Sequence, residues 1–314
     1  MASRLILNAD DFGLTPGINR AVVDLHRAGA LSSATLMATG GAFKDAIACA
    51  QTSPTLGVGC HVVFVDGTPV SAPTSIPTLI GPDGKRFRTS LVHFACAARL
   101  GAIDPADLVR EATAQVEKLQ HAGLQPTHLD THKHTHCLPL VARALVEVAR
   151  RCQVGAMRHP FEPAWSVAVS KASPLRRLQV HALSSYKASF RALLAASPGA
   201  IATAGTLGIA ATGTLDAEVL RATLARAAMH AGDATYELCC HPGLLDRALE
   251  QQPTRLLGTR AVEYAALLDF IPQFLRTPGA PTLIHYGELD ASGQSVPVAR
   301  HGPTAHQGVP DRKV

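Results

Sequence analysis

The chain reads as short apolar runs alternating with longer segments in which apolar residues recur every three or four positions. The short runs predict strands at residues 5–8, 33–37, 56–63, 127–131, 156–159, 201–209, 236–240 and 281–286. The longer segments predict helices at 16–28, 43–49, 104–121, 139–152, 216–230 and 260–274. Thr15 before Pro16, and Asp104 before Pro105, supply an N-cap hydroxyl or carboxylate followed by a residue that needs no helical N–H bond. Residues 66–88 are rich in Pro, Gly and Thr and read as a long loop, a length that is uncommon unless the loop is functional.

Strand–helix alternation with right-handed crossovers gives a parallel sheet covered by helices. The expected fold class is therefore α/β, an irregular TIM-like (β/α) barrel of seven or eight strands. One domain covers residues 1–289, with an insertion at about 161–198 where the rhythm breaks. Residues 290–314 are polar and are expected to form a disordered tail.

Composition narrows the function. Apolar residues make up 47% of the 314 residues, ample for a buried core, but aromatics are only 4%, so Ala, Leu, Val and Ile must fill it. The net charge of +5 is spread along the chain without the dense basic clusters of a nucleic-acid groove, so no nucleic-acid partner is expected. Seven cysteines, at 49, 60, 96, 137, 152, 239 and 240, are odd in number and lack Cys-x-x-Cys spacing, which reads as reduced core thiols. No secretory-type segment opens the chain and no run of about 18 apolar residues occurs, which predicts a cytoplasmic protein.

In such a barrel, chemistry sits at the C-terminal ends of the strands. Those ends carry Asn8-Ala9-Asp10-Asp11-Phe12-Gly13, Gly59-Cys60-His61, His128-Leu129-Asp130-Thr131-His132-Lys133-His134-Thr135-His136 and Cys239-Cys240-His241-Pro242-Gly243. Singly, an Asp-Asp pair is a turn with a helix cap, His61 a structural histidine and His241 a loop residue. Five acidic or imidazole side chains within residues 128–136 are harder to dismiss as a solvated stretch. All four clusters fall at the same mouth, and a carboxylate with two imidazoles suits Zn²⁺ or a similar divalent ion with positions open to water and substrate. Asp130 or Asp10 could fix an imidazole tautomer from behind.

These blocks resemble, in order and over residues 5 to about 286, the YdjC/ChbG-like carbohydrate deacetylases. The resemblance implies an irregular (β/α) barrel that hydrolyses N-acetyl groups on chitooligosaccharide-type sugars, an amide C–N cleavage. It implies one divalent metal held by Asp11, His61 and His132, with Asp10 as general base. Zn²⁺ is favoured by the ligands, with Mg²⁺ or another divalent ion as the alternative. His241 is our candidate acid for the departing amine, and His128, Asp130, His134 and His136 are expected to orient ligands or contact substrate. Two departures bear on the substrate: Val62 and Val63 replace polar residues after His61, and the 161–198 segment is longer than in compact members.

That segment, after Arg158-His159-Pro160-Phe161-Glu162-Pro163, resembles the hopanoid-biosynthesis-associated branch, which implies an N-acetylglucosaminyl hopanoid glycolipid as substrate. Residues 165–194 also place apolar residues at helical spacing beside Lys171, Arg176, Arg177, Lys187 and Arg191. A basic amphipathic helix suits a peripheral contact with the inner membrane. A helix covering the barrel, or a homodimer contact, is the competing reading. Two alternatives remain. One is an active-site variant with the same reaction, a polysaccharide deacetylase of the commoner kind that uses His132 and His136 as co-ligands. The other is a non-catalytic metal-dependent sugar or glycolipid binder.

Overall fold

The strands of the computed structural model, which describes residues 4–230 and 232–289, all run parallel. They are β1 (Arg4–Phe12), β2 (Ser33–Leu36), β3 (Gly57–Val62), β4 (His128–Thr131), β5 (Ala156–Met157), β6 (Thr206–Leu207), β7 (Tyr236–Cys240) and β8 (Thr282–Leu283). Their order is β5-β4-β3-β2-β1-β7-β6, with β8 beside the start of β1. Helical crossovers join them, as parallel neighbours require. The sheet curls until its edges meet. Ala156 bridges Ile201, Met157 N donates to Ile201 O at 2.8 Å, and Thr206 Oγ1 donates to His159 O at 2.8 Å. An irregular α/β barrel is therefore the fold.

Alternation along each strand divides its residues between two surroundings. Leu5, Leu7, Ala9, Ala34, Leu36, Cys60, Val62, Leu129, Met157, Leu207 and Leu238 face outward into the main core with Ile18, Val22 and Leu25 of helix Pro16–Arg27. The complementary positions face the barrel axis. A small apolar plug of Ile6, Ala156, Ile284 and Tyr286 closes one end, and polar residues fill the remainder.

The predicted helix starts hold. Thr15 Oγ1 accepts from Ile18 N at 3.4 Å, and Asp104 Oδ1 from Ala106 N at 2.9 Å. The strand expected at 201–209 shrinks to two residues plus the Ile201 bridge. Gly208, at φ +86°, turns the backbone into a region where the ladder cannot continue.

Residues 161–198 form the helical crossover from β5 to β6, built from Ala164–Val167, Pro174–Leu183 and Lys187–Ala195. Pro174 opens a helix capped by Ser173 instead of interrupting one. Val180 packs on Ile209 and Ala210, and Phe190 joins the main core, so this segment does cover the barrel.

The 66–88 loop is wired down. Glu111 accepts from Val70 N and Ser71 N at 2.9 Å each, Asp107 accepts from Thr78, and Asp66 pairs with Lys133. No helix among the described residues is long and apolar enough to cross a membrane, and residues 290–314 lie outside the described residues.

Candidate metal and catalytic site

Adjacent residues of a regular strand point to opposite faces, so Asp10 and Asp11 could not both serve one site without a distortion. A register shift between Ala9 and Phe12 in the pairing with β2, with Asp11 at φ +65°, provides it. An extra residue in the strand re-aims the side chain, and Asp tolerates the left-handed region better than most residues. Asn19 holds the following turn by accepting from Gly13 N at 2.7 Å and donating to Ala42 O at 3.1 Å.

Asp11 Oδ1 then lies 3.6 Å from His61 Nε2 and 3.2 Å from His132 Nδ1. It is buried and has no hydrogen-bond partner. Tetrahedral coordination at the usual Zn–N and Zn–O lengths puts ligand atoms about 3.3 Å apart, so these three fit one ion. Behind them, Asp130 Oδ1 sits 2.7 Å from His61 Nδ1, which fixes the proton there and leaves Nε2 facing Asp11. Arg260 Nη2 donates to Asp11 Oδ2 at 2.5 Å and orients the carboxylate from the other side. Burial opposes charge on His61, but Asp130, Asp10 and Asp11 outweigh it and lift the imidazole to about 9. That field attracts a cation.

Asp10 is organised by a group that sequence patterning did not single out as functional. Arg158, fully buried after β5, donates to Asp10 at 2.6 and 2.9 Å, lies 2.5 Å from Asp130 Oδ2, and donates to Glu237 at 2.5–3.0 Å. Tyr286 closes the network with a 2.5 Å bond to Glu237 Oε2. Burial works to raise Asp10, yet Arg158 and the nearby imidazoles hold it well below the usual carboxylate range. Asp10 is thus an ionised acceptor throughout the physiological range.

His241 stands 3.8 Å from Asp10 Oδ2 through Nε2, with Nδ1 buried and unpartnered. Burial lowers its imidazole to about 4, so it is neutral at neutral pH. Its backbone N–H is gripped by Glu263 at 2.6 Å, and burial raises that carboxyl to about 7.

The histidine run divides. Lys133 and His134 adopt φ of +57° and +51°, and this double reversal swings His132 to Asp11 while returning His136 to Thr131, where Nδ1 meets Oγ1 at 2.6 Å. Among the described residues His136 joins no ligand group with Asp11, so the His132/His136 co-ligand arrangement is not what the fold builds. His128 lies deeper, stacked on Tyr286 at 3.8 Å and filling the space beside Gly59, where a Cβ would come within 2.4 Å of the ring. Expected beside the substrate or ligands, it packs the barrel interior instead. His134 is partly exposed at the mouth. Val63, in place of a polar residue, is buried with its backbone clamped by Gln115 at 2.8 Å on both N–H and C=O.

Arg158, Glu237, Arg260, Glu263 and Tyr286 were not on the sequence-derived site. For Arg158 and Glu237 a signal existed, since each is a charged residue at or beside a predicted apolar strand.

A family profile described as YdjC-like protein matches residues 4–275. A carbohydrate deacetylase of Brevibacillus brevis is 39% identical over 158 residues, covering 50% of this chain and 60% of that protein. One from Geobacillus stearothermophilus is 38% identical over 146 residues, 46% of this chain and 56% of its own length. The chain thus spans somewhat over half the length of these relatives. An Enterococcus faecalis V583 structure, provisionally described as a cellobiose-phosphate cleavage protein, shares the fold with TM-score 0.72 at 20% identity, covering 91% of this chain and 98% of that one.

Proposed function

The chain belongs to the YdjC-like protein family, and from that membership we propose that it is a metal-dependent carbohydrate N-deacetylase releasing acetate from an N-acetylated amino sugar. The observation that carries the reading is the buried, unpartnered Asp11 Oδ1 facing His61 Nε2 and His132 Nδ1. Two imidazoles and one carboxylate favour Zn²⁺ over Mg²⁺, which prefers an all-oxygen shell. A divalent ion bound there supplies Lewis-acid polarisation of the acetamide and lowers the pKa of water.

The chain's own residues do the rest. Asp10 accepts the proton of the attacking water, held in place by the two Arg158 bonds. A carboxylate stabilised this strongly is a weak base, so its advantage is position. His241 begins neutral, so the proton it delivers to the departing amine must be collected within the cycle, and Asp10 Oδ2 at 3.8 Å is the near source. Asp130 keeps the His61 tautomer, and Arg260 keeps Asp11 aimed.

A glycolipid substrate is favoured by one observation. Helix Pro174–Leu183 lies just past the C-terminal end of β6, where Arg176 Nη2 donates to Ile209 O at 3.0 Å. On it Leu175 and Leu178 are 65% and 62% exposed beside Arg176 and Arg177. Apolar side chains among cations at the mouth suit a lipid anchor at an anionic surface.

The test is acetate release from diacetylchitobiose and from N-acetylglucosaminyl hopanoid in vesicles, after chelation and Zn²⁺ return. Metal-dependent acetate from either supports the reaction. Turnover of the lipid, with KM raised by Leu175→Gln/Leu178→Gln, supports the glycolipid. Turnover of chitobiose alone returns the protein to soluble oligosaccharides. No acetate from either, in metallated protein, overturns the proposal.

A further inference from the structure

Cys239 has no part in the machinery above, yet its side chain faces the barrel axis beside the proposed acid–base pair. Its Sγ–H donates to Asp10 Oδ2 at 3.3 Å, on the oxygen that lies 3.8 Å from His241 Nε2. The three potential ligand atoms all lie within 4.8 Å of one another, and all three residues are buried. His241 is only 8% exposed, and its Nε2 faces Asp10 Oδ2 at 3.8 Å, beyond hydrogen-bond range and near the span of two ligand atoms on one ion.

The geometry points to a second cation site made by Asp10, Cys239 and His241, taking a thiophilic divalent ion and blocking turnover when filled. The ligand set shares no residue with Asp11, His61 and His132, so filling it takes no ligand from the first ion. Tetrahedral Zn²⁺ with one sulfur, one oxygen and one nitrogen ligand needs edges of about 3.3–3.6 Å, close to the two separations observed. Asp10 Oδ2 already accepts from Arg158 Nη1 at 2.9 Å, and its other lone pair, now accepting from the thiol, becomes the ion's. On binding, the Cys239 S–H bond breaks, its proton leaves to solvent and the thiolate coordinates.

The Arg158 and Arg260 guanidinium groups oppose a second dication. The Asp10, Asp11, Asp130 and Glu237 carboxylates paired with them counter that repulsion. Selectivity follows from the sulfur: Zn²⁺ and Cd²⁺ accept a thiolate, whereas Mg²⁺ does not compete for it. The inhibitory part rests on the proposed roles of Asp10 and His241. The binding part does not.

The experiment titrates metal-free protein with Cd²⁺, following bound metal and the thiolate-to-cadmium ultraviolet band, with deacetylase activity measured alongside in Zn²⁺. The expected result is two Cd²⁺ per chain, with the band growing on the second equivalent, and loss of activity above one equivalent of Zn²⁺. Cys239→Ser keeps the first ion, loses the band, and weakens inhibition by excess Zn²⁺ by about 10–100-fold or more, the effect expected even for an outer-shell partner. Mg²⁺ fills one site only and gives no inhibition at excess. The same band and stoichiometry in Cys239→Ser, or a single Cd²⁺ without a band in wild type, overturns the second site. His132→Ala separates this from failure of the primary reading. If His132→Ala still binds two Cd²⁺ with the band unchanged, the Asp11 site is wrong while the Cys239 site stands.

Discussion

The two faces of the same strands make opposite demands on the chain. Leu5, Leu7 and Ala9 point outward into an aliphatic core, while Asn8 and Asp10 between and beyond them point to an axis lined by charge. TIM-type barrels usually fill their interior with branched apolar side chains. Here Arg158 links carboxylates from β1, β4 and β7, with Thr35 bonding both Asp10 and Asp130 at 3.2 Å. The outer face therefore determines that a barrel forms, through non-directional burial of area. The inner face decides which side chains can meet, through directional bonds that tolerate little displacement. Damage to one face should separate cleanly from damage to the other.

The sharpest break falls on the inner face. Asp11→Asn should abolish metal binding and cut turnover by more than about 10³-fold, because both polarisation and charge stabilisation go with the ion. Asp10→Asn beside it should retain the metal while cutting turnover by about 10²-fold or more. Metal content by elemental analysis, with acetate release on the same samples, checks the pair. Loss of metal from Asp10→Asn would collapse the distinction between the two aspartates.

Arg158→Gln should come next, and it crosses the divide. Removing one guanidinium strands the Asp10, Asp130 and Glu237 carboxylates in the interior, at a cost of about 3–5 kcal/mol in stability. Urea denaturation measures it, and a variant as stable as wild type would mean that the inner network contributes function only. On the outer face Leu7→Ala, fully buried, should cost about 3 kcal/mol through lost burial and a cavity. Its turnover per folded molecule should match wild type, because no inner contact changes. A lower kcat in fully folded Leu7→Ala would show the faces to be coupled.

The same division explains what the sequence disclosed. The outer face is legible because apolar alternation and helix periodicity are local, and Thr15-Pro16 and Asp104-Pro105 announced helix starts. The strand ends of β1, β3, β4 and β7 were legible because polar residues stop an apolar run, so Asp10, Asp11, His61, His132 and His241 could be named in advance. Arg158 and Arg260 were not, since Arg158 reaches Asp10 across 148 residues and Arg260 reaches Asp11 across 249, distances that only the closed barrel removes. The histidine run misled in detail, because nothing in its spacing reveals that Lys133 and His134 turn left-handed and send His128, His132 and His136 to three different surroundings. Short strands behave likewise: β6 is two residues long inside an apolar stretch that reads as longer, and Gly208 at φ +86° ends it.

The smallest effect tests whether the inner face senses pH from one layer further out. Burial lifts Glu263 to about 7, while its carboxylate accepts from the His241 N–H at 2.6 Å and the Gly213 N–H at 3.4 Å. A folded-state value above the unfolded one, about 4.3, means that the native state favours the protonated form. The associated stability is fully present below about pH 4 and is lost as pH rises through 7. Wild type should therefore lose about 1 kcal/mol relative to Glu263→Gln between pH 6 and pH 8, because the neutral amide has no proton to release. Denaturation of both proteins at the two pH values reads the difference directly. A constant gap would place the Glu263 titration outside this window, and His241 would then be held by the same charge across the whole working range.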